Sequence, residues 1–249
     1  MTALVTLPTY NELENLTPLV EEILGLGDQF DVLVVDDGSP DGTGLVAEHL
    51  TTVYPGRVEV IHRQGKLGLA TAYLTGFRYG MVKGYDYICE MDADFSHDPQ
   101  YLPALVDAAR AEGADVVLGS RYAKGGGVEN WSWVRRIISR CGSLYARQLL
   151  ALPYHDLTGG FKLFRRAALE RLDLGLITAT GYGFQIEMTY RLHQAGAKIV
   201  EYPIVFRDRR AGQSKMSPSI FLEALLMVAS LRVSPKLPAA EPSEERAGS

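Results

Sequence analysis

The segment from Val32 to Thr43 reads VLVVDDGSPDGT, in which four apolar residues run directly into a cluster of Asp, Gly, Ser and Pro. A short β-rich apolar run is typical of a buried strand, and the residue types after it favour a turn that leads into a helix. Similar apolar runs lie at residues 4–7, 58–62, 87–91 and 116–118. Between them, the segments 69–80 and 102–109 show the apolar spacing of one helix face. This alternation predicts an α/β fold with a mostly parallel central sheet flanked by helices.

Acidic side chains follow three of the predicted strands. Open parallel sheets bind ligands beyond the carboxyl ends of their strands, where the connecting loops gather. Because Asp, Ser and Gly also form turns and helix N-caps, each loop alone fits a structural role as well. Of Asp36 and Asp37, one is expected to orient the turn while the other faces a ligand. The three loops together predict one cleft, and the acidic residues expected to line it are Glu12, Asp36, Asp37, Asp92 and Asp94.

The triplet Asp92-Ala93-Asp94 is the feature with the clearest chemistry. Side chains at i and i+2 of an extended segment point the same way, so the two carboxylates share one side. Paired carboxylates without a neighbouring Cys or His favour a hard divalent cation, Mg²⁺ or Mn²⁺. Magnesium commonly binds one or two carboxylates together with substrate phosphates.

The charge distribution agrees with a metal and phosphate site built from distant segments. The 249 residues carry 25 basic and 30 acidic side chains, a net charge of -5, which argues against a general nucleic-acid binder. Residues 121–147 hold six basic side chains against Glu129 alone, and a second basic cluster occupies 207–215. Ordinary surface charge is the alternative explanation of both clusters.

The second half of the chain is less regular. It predicts a helix over 134–150, a helix that begins near Phe184 and is capped by Gly196, and a strand over 199–204 that Pro203 restricts to a sheet edge. We expect residues 235–249 to be disordered because they are rich in Pro, Glu and Ser.

Two further expectations concern aromatic residues and the cleft. The segment KGGGVENWSW at 124–133 predicts a flexible loop with exposed Trp131 and Trp133. His97 is expected to lie behind the site or on the surface, because none of the five histidines has metal-ligand spacing. The sequence has no P-loop, dinucleotide-binding, zinc-protease or nucleophile-elbow motif, so it gives no support for those enzyme classes.

The N-terminal sequence MTALVTLPTYNE has no basic region ahead of an apolar stretch, so we expect no signal peptide. The only two cysteines, Cys89 and Cys141, suit a reducing compartment. These features predict a cytoplasmic protein.

Taken in order, seven motifs resemble the polyprenyl-phosphate (dolichyl-phosphate) mannosyltransferases, which are inverting family-2 glycosyltransferases. They extend from Pro8 to Lys215 and read PTYNE, VVDDGSPDGT, MDADFSHDP, GSRY, DLTGGFK, GYGFQIEM and DRRAGQSK. The resemblance implies a GT-A fold in a catalytic domain at 1–216, followed by an apolar helix at 217–234 and a tail at 235–249. That helix is expected to lie at a membrane interface, dock on a partner or pack on its own domain.

The resemblance also implies roles for individual residues. The nucleotide sugar is expected to contact Pro8, Tyr10, Glu12, Val35, Asp37, Asp92, Ala93, Asp94, Arg121, Arg209 and Lys215. The acceptor phosphate is expected to contact Arg121, Arg135 and Ser139. The metal would bind Asp94 and Ser96, where Ser96 occupies the place of a Gln in some relatives and water is the alternative ligand. The catalytic groups would be Asp92, Asp94, Arg121 and Arg209.

The implied activity is transfer of mannose from GDP-mannose to a polyprenyl monophosphate with inversion, assisted by Mg²⁺ or Mn²⁺. The implied location is the cytoplasmic face of a membrane, with peripheral association through a separate membrane protein or through the protein's own surface. A polyprenyl-phosphate glucosyltransferase that uses a UDP-sugar is the nearest alternative. A sugar nucleotidyltransferase and a non-catalytic nucleotide-sugar binding subunit are the others.

Overall fold

A computed structural model describes residues 1–207 and 218–233 of the chain. The strands within these residues are β1 Ala3–Thr9, β2 Phe30–Asp36, β3 Val58–His62, β4 Tyr87–Glu90, β5 Val116–Ser120, β6 Gly127–Val128, β7 Lys162–Arg165, β8 Ile199–Pro203 and β9 Val205–Phe206. The helices are α1 Leu13–Leu24, α2 Thr43–Val53, α3 Leu69–Lys83, α4 Leu102–Glu112, α5 Trp133–Leu150, α6 Arg166–Leu169, α7 Gly181–Gln194 and α8 Pro218–Val233.

Seven strands form one sheet in the order β3-β2-β1-β4-β7-β5-β8, and β6 pairs with β9 separately. Within the large sheet, β7 is antiparallel to both β4 and β5, whereas the other neighbouring pairs are parallel. The mostly parallel sheet is therefore confirmed, and β8 lies at its edge as Pro203 predicts.

Both faces of the sheet are covered by helices. In α1, the buried residues Leu16, Leu19 and Ile23 follow the spacing of one helix face and pack in a core with α4. On the opposite face, a second core joins α3, α5 and α7. Neighbouring residues of β4 divide between the cores, since Cys89 belongs to the first and Ile88 to the second. The residue alternation of a strand thus feeds two cores at once.

The antiparallel strand β7 was not predicted from the sequence. Its four residues, KLFR, begin and end with a charged side chain, so they lack the apolar run that marks the other strands. Lys162 is nevertheless buried and pairs in register with Glu90 of β4. Because β7 runs against its neighbours, its first residue lies at the edge where β4 and β5 end.

The structure corrects the prediction for the loop at 124–133. Trp131 was expected to be exposed but retains only 8% of its surface, and its ring packs against Phe206 at 5.2 Å between centroids. Strand β6 interrupts the loop and pairs with β9, which brings Phe206 to the indole. Trp133 is 72% exposed, as predicted. Helix α7 begins at Gly181, three residues before the expected start at Phe184.

Gly76 lies where α3 packs closely on the sheet. A Cβ at this position would lie 2.3 Å from Cγ2 and 2.5 Å from Oγ1 of Thr6 in β1. We expect Gly76→Ala to lower the free energy of unfolding by about 1–3 kcal/mol through overpacking, although alanine is the better helix former. Urea denaturation measures the change.

Arg78→Ala, at an exposed position of the same helix, is the control and should change the unfolding free energy by less than about 0.5 kcal/mol. Equal stability of the Gly76→Ala protein and the unmodified protein would contradict this close approach.

Candidate active site

The loops that follow the parallel strands and the loop that precedes the antiparallel β7 meet at the same end of the sheet, where the parallel strands have their carboxyl ends. Strands β2, β1 and β4 are neighbours, so the acidic loops after them lie side by side as the sequence predicts. The loop after β5 follows on the far side of β7. The segment 156–161 reaches the same edge because it leads into the antiparallel β7.

Asp36 and Asp37 have different tasks. Asp36 accepts hydrogen bonds from the Thr9 hydroxyl at 2.9 Å and from the Ser39 amide at 3.1 Å, so it orients the turn. Asp37, the predicted nucleotide contact, pairs with the Arg63 guanidinium and accepts the Gly68 amide at 3.3 Å. Both partners of this ion pair are buried, which fixes the loop after β3 against the loop after β2.

Tyr10 and Glu12 lie in the loop after β1. The ammonium of Lys66 lies 4.3 Å from the centroid of the Tyr10 ring, a cation–π contact between the loops after β1 and β3. The Glu12 carboxylate accepts the Asn15 side-chain amide at 2.9 Å. Sequence reasoning missed Arg63 and Lys66 because two basic residues in a short polar loop carry no signal without their partners.

Asp92 is held by two buried side chains. The Tyr73 hydroxyl donates to its Oδ1 at 2.9 Å, and its own amide donates to Nδ1 of His97 at 3.2 Å. Burial lowers the pKa of His97 despite the nearby charges of Asp92 and Asp94, which keeps the imidazole neutral and its Nδ1 able to accept. His97 is 2% exposed and stacks on Phe161, so it lies behind the site and not on the surface.

Asp94 and Ser96 have a donor set that fits a hard cation. The Asp94 carboxylate is buried and accepts the Ser96 amide at 3.0 Å. The Ser96 hydroxyl is also buried and has no hydrogen-bond partner among the described residues. Phe95 between them has a φ of 60°, a left-handed conformation that costs a non-glycine residue about 1–2 kcal/mol. An oxygen without a partner beside a carboxylate, in a strained loop, suits a metal ligand.

The protein does not supply a complete metal cage in the residues that the structure describes. No group of three or more His, Cys, Asp or Glu residues in them is placed to hold a metal ion. In proteins, magnesium commonly binds one or two carboxylates together with substrate phosphates.

Arg121 forms a buried bidentate ion pair with Asp156. Its Nε and Nη2 atoms donate to the two carboxylate oxygens at 2.7 Å each, and Nη2 also donates to the Thr158 hydroxyl at 2.8 Å. Burial alone would raise the pKa of Asp156, but the charge and hydrogen bonds of Arg121 outweigh it and lower the pKa. Arg121 therefore joins the loop after β5 to the loop before β7, and its contact with a phosphate stays a prediction.

Two consecutive glycines connect this ion pair to the aspartates after β4. A Cβ on Gly159 would lie 3.5 Å from the Asp156 carboxylate. A Cβ on Gly160 would lie 3.8 Å from Oδ1 of Asp92. The aspartate loop and the Arg121 loop are thus separated by bare backbone and belong to one site.

A polar network lies beneath Asp92, and sequence reasoning did not find it. Gln185 donates to the Glu90 carboxylate at 3.0 Å, and the Lys162 ammonium donates to the Gln185 carbonyl at 2.8 Å. Burial raises the pKa of Glu90 to about 8 and lowers the pKa of Lys162 to about 8. Only the motifs GFK and GFQIE hinted at these residues, and neither motif shows that its polar side chains point into the core.

The predicted acceptor residues gather around two aromatic rings. The Arg135 guanidinium lies 4.1 Å from the centroid of the Trp131 ring, and the Arg121 guanidinium lies 5.4 Å from it. The Ser139 hydroxyl accepts a hydrogen bond from Tyr122 at 2.7 Å. The structure therefore brings Arg121, Arg135 and Ser139 into one region.

The remaining predicted residues divide into two groups. Val35 and Ala93 are buried, and Pro8 is half-buried at the end of β1. Arg209 and Lys215, with most of the second basic cluster, lie outside the described residues. So do the tail at 235–249 and part of the boundary proposed near residue 216.

A family model described as "Glycosyl transferase family 2" matches residues 4–173, most of the described sheet and every loop described above up to β7. The chain belongs to glycosyltransferase family 2. The polyprenol monophosphomannose synthase of Mycolicibacterium smegmatis is 48% identical over 226 residues, which cover 91% of this chain and 85% of that protein. The undecaprenyl-phosphate mannosyltransferase of Micrococcus luteus is 46% identical, over 92% of this chain and 93% of that protein.

Solved structures of another enzyme share the fold. Glucosyl-3-phosphoglycerate synthase from Mycobacterium tuberculosis, in complex with Mn²⁺, UDP-glucose and phosphoglyceric acid, superposes with a TM-score of 0.66 at 20% identity. The match covers 94% of this chain and 80% of that chain. The same enzyme with Mg²⁺ and UDP gives a TM-score of 0.65. The GT-A fold predicted for this glycosyltransferase is confirmed.

No helix in the described part of the chain combines the length and the apolar character that spanning a membrane requires.

The hydrogen bond from Tyr73 to Asp92 gives a test of how the glycosyltransferase site is held. We expect Tyr73→Phe to lower kcat for glycosyl transfer about tenfold, because a hydrogen bond to a charged group contributes about 1.5–3 kcal/mol and Asp92 loses its orientation. Steady-state kinetics at saturating donor and acceptor measure the change.

Tyr85→Phe is the matched control, since the Tyr85 hydroxyl donates to the Asp31 carboxylate at 3.0 Å on another part of the sheet. Its kcat should equal that of the unmodified protein. If the two variants lost activity equally, the role of Tyr73 would be structural only.

Proposed function

We propose that the chain transfers mannose from GDP-mannose to a polyprenyl monophosphate with inversion, yielding polyprenyl-phosphate mannose and GDP. The observation that carries this proposal is the identity of 46–48% to two proteins named for polyprenol-phosphate mannosylation, each over more than 90% of the chain. The arrangement of carboxylates on one side of the β7 loop and arginines on the other supports the same reaction.

Joining two anions is the physical problem of this reaction. A lipid phosphate must approach a sugar whose leaving group is a diphosphate, and like charges a few ångström apart repel by several kcal/mol when water is partly excluded. Neutralising groups are therefore needed on both sides of the sugar. Asp94 would hold Mg²⁺ or Mn²⁺ on the donor side, and Arg135 would face the acceptor phosphate.

On the donor side, the metal would supply positive charge to the departing diphosphate. Asp94 and the Ser96 hydroxyl would be its ligands from the protein, while Asp92 would position the donor. Tyr10, Glu12 and Asp37, with Pro8 and Val35 beneath them, would bind the guanosine part. The proposed contributions of Arg209 and Lys215 belong to the basic segment outside the described residues.

On the acceptor side, one phosphate oxygen attacks the anomeric carbon from the face opposite the leaving group. The new carbon–oxygen bond forms as the bond to GDP breaks, and GDP leaves with the electron pair. Phosphate monoesters lose their second proton near pH ~6, so the acceptor needs no general base at neutral pH. His97 is unsuited to that role from Nδ1, because this atom already accepts the Asp92 amide.

Arg121 would act from the middle of the site. Its bidentate pair with Asp156 fixes the plane of the guanidinium beside the Trp131 ring. A guanidinium held in this way costs no further ordering when an anion arrives, which is the condition for electrostatic preorganisation.

Transfer of glucose from a UDP-sugar is the second candidate, since the solved structures that share the fold contain UDP or UDP-glucose. Their identity of 20% indicates the fold only. A thermal-shift comparison separates the candidates: with Mn²⁺ present, GDP should stabilise the protein at a concentration at which UDP does not.

The lipid acceptor also supports peripheral association with the cytoplasmic face of a membrane, where the protein would meet its substrate. The proposal includes association through a separate membrane protein, and co-purification from membranes tests this part.

Asp94→Asn tests the metal site. We expect the variant to lose GDP-mannose-dependent transfer by a factor of at least about 100, because a weakened metal ligand removes positive charge that would stabilise the departing diphosphate in the transition state. It should also lose the Mn²⁺-dependent part of the stabilisation by GDP in a thermal-shift assay, a readout that does not require turnover.

Asp107→Asn, at an exposed position of α4, is the control and should behave like the unmodified protein. Full activity of the unmodified protein in EDTA would overturn the metal assignment.

Arg135→Gln tests the acceptor site. With a water-soluble short-chain polyprenyl phosphate, we expect KM for the acceptor to rise about tenfold or more, because one charge-assisted hydrogen bond is lost. The affinity for GDP, measured by calorimetry, should not change. Arg110→Gln on α4 is the control for lost surface charge, and a loss of GDP affinity in Arg135→Gln would reassign Arg135 to the donor.

A further inference from the structure

The missing side chain of Gly160 leaves a small space that three polar side chains border. A Cβ added to this glycine would lie 3.5 Å from Nε2 of Gln185, 3.7 Å from Cε1 of His97 and 3.8 Å from Oδ1 of Asp92. We call this space the Gly160 hollow. Gly160 and Asp92 are both partly exposed, so the hollow opens into the site.

The side-chain amide of Gln185 has hydrogen-bonding capacity that the described residues do not use. Gln185 is 3% exposed, and its Oε1 has no hydrogen-bond partner among those residues. Its Nε2 donates to the Glu90 carboxylate at 3.0 Å, which uses one of the two amide hydrogens. Because a buried polar atom without a partner is costly, the Oε1 atom indicates a donor that arrives with a ligand.

Gln185 is fixed at both its backbone and its side chain. Its carbonyl accepts hydrogen bonds from the Lys162 ammonium at 2.8 Å and from the Thr189 hydroxyl at 2.9 Å. Its amide cannot turn toward another partner without breaking the bond to Glu90. The Oε1 atom therefore has one position, which is the condition for reading a ligand group precisely.

The charges around the Gly160 hollow favour a neutral ligand group. Asp92 borders the hollow and Glu90 lies beneath it, so a phosphate placed there would be repelled. A hydroxyl, in contrast, can donate to the Gln185 oxygen or accept from the remaining amide hydrogen. The hollow also lies between the aspartate loop and the ion pair of Arg121, where the proposed reaction requires the sugar.

We propose that the Gly160 hollow holds a hydroxyl group of the transferred hexose and that the side-chain amide of Gln185 hydrogen-bonds to it. Gln185 is then a sugar-binding residue that selects the donor by its hydroxyls. This inference rests on the proposed function and deepens it, because it names a residue that distinguishes one hexose from another. A site built to bind a substrate hydroxyl discriminates against an analogue that lacks it, since the buried amide is then left without a partner.

Transfer from deoxy donors tests the role of Gln185. The value of kcat/KM is measured for GDP-mannose and for its derivatives that lack the hydroxyl at C2, C3, C4 or C6. With the unmodified protein, at least one derivative should react about tenfold or more slowly than GDP-mannose. In Gln185→Met, the penalty for that derivative should shrink at least about fivefold, whereas a purely structural defect would slow all five donors alike.

Gln194→Met is the matched control. Gln194 is the last residue of α7 and also has a buried Oε1 without a hydrogen-bond partner among the described residues. It lies nine residues beyond Gln185, about 13 Å along the helix. Its deoxy penalties should equal those of the unmodified protein.

Gly160→Ala tests the hollow with the bond between Gln185 and Glu90 left in place. Gly160 is not among the glycines with a positive φ, and the added methyl group would make only ordinary van der Waals contacts. We expect the methyl group to fill the hollow and to weaken GDP-mannose binding about tenfold in calorimetry with Mn²⁺. The affinity for GDP, which has no hexose, should not change.

The control for the added methyl group is Gly127→Ala in β6, where a Cβ would meet nothing within 4 Å. Both of its affinities should equal those of the unmodified protein.

The outcomes separate this inference from the proposed function. If Gln185→Met keeps every deoxy penalty, or if Gly160→Ala weakens GDP and GDP-mannose equally, the hollow does not bind the sugar and the inference is wrong. If UDP-glucose supports transfer and GDP-mannose does not, the proposed function fails. A penalty among deoxy derivatives of UDP-glucose that depends on Gln185 would then still support the inference, and its absence would overturn it.

Discussion

The buried ion pair between Arg121 and Asp156 is the interaction on which the site depends. The Asp156 side chain has no exposed surface and that of Arg121 only 6%, so removal of either partner would leave the other charge in the interior. Breaking such a pair costs about 3–5 kcal/mol, whereas its formation from solvated charges contributes little. The pair therefore acts mainly as a constraint: the loop after β5 and the loop before β7 have one arrangement. Gly159 and Gly160 lie three and four residues after Asp156, and their lack of side chains lets this arrangement approach Asp92.

The side chains around and below Asp92 are also held in fixed positions. Asp92 is fixed by a hydroxyl on one side and by an imidazole at its backbone on the other, and both supporting residues are buried. Beneath them, Glu90 and Lys162 occupy opposite positions of β4 and β7, with Gln185 hydrogen-bonded to both. Buried polar groups with displaced pKa values are costly unless they are paired. In the proposed function, this network would support a site that holds highly charged ligands without rearranging.

The sequence was sufficient for the parts of the molecule that local patterns encode. Apolar runs located five strands of the sheet, and their polar followers located the loops that bear Asp37, Asp92 and Asp94. The features that the sequence did not reveal depend on contacts between residues that are far apart in the chain. Strand β7 lacks an apolar pattern and is identified only by its register with Glu90. Trp131 is buried because β6 and β9 bring Phe206 to it, across 75 residues of sequence that no local window spans. Lys66 and Arg63 likewise gain a role only from Tyr10 and Asp37.

The order of strands in the sheet places the acidic and basic segments of the chain on different sides of the site. The first fifty residues carry ten acidic and no basic side chains other than histidine, and they form β1 and β2 on one side of β4. The basic segment 121–147 begins after β5 and continues into α5, on the other side of β7. Strand β7 lies between β4 and β5. The acidic loops therefore lie on one side of the loop that precedes β7, and the arginines lie on the other side. A cation would balance the diphosphate on the acidic side, while arginines would balance the second anion on the other. In the proposed reaction the two anions would meet at the sugar from opposite directions, which is also the geometry that inversion at the anomeric carbon requires.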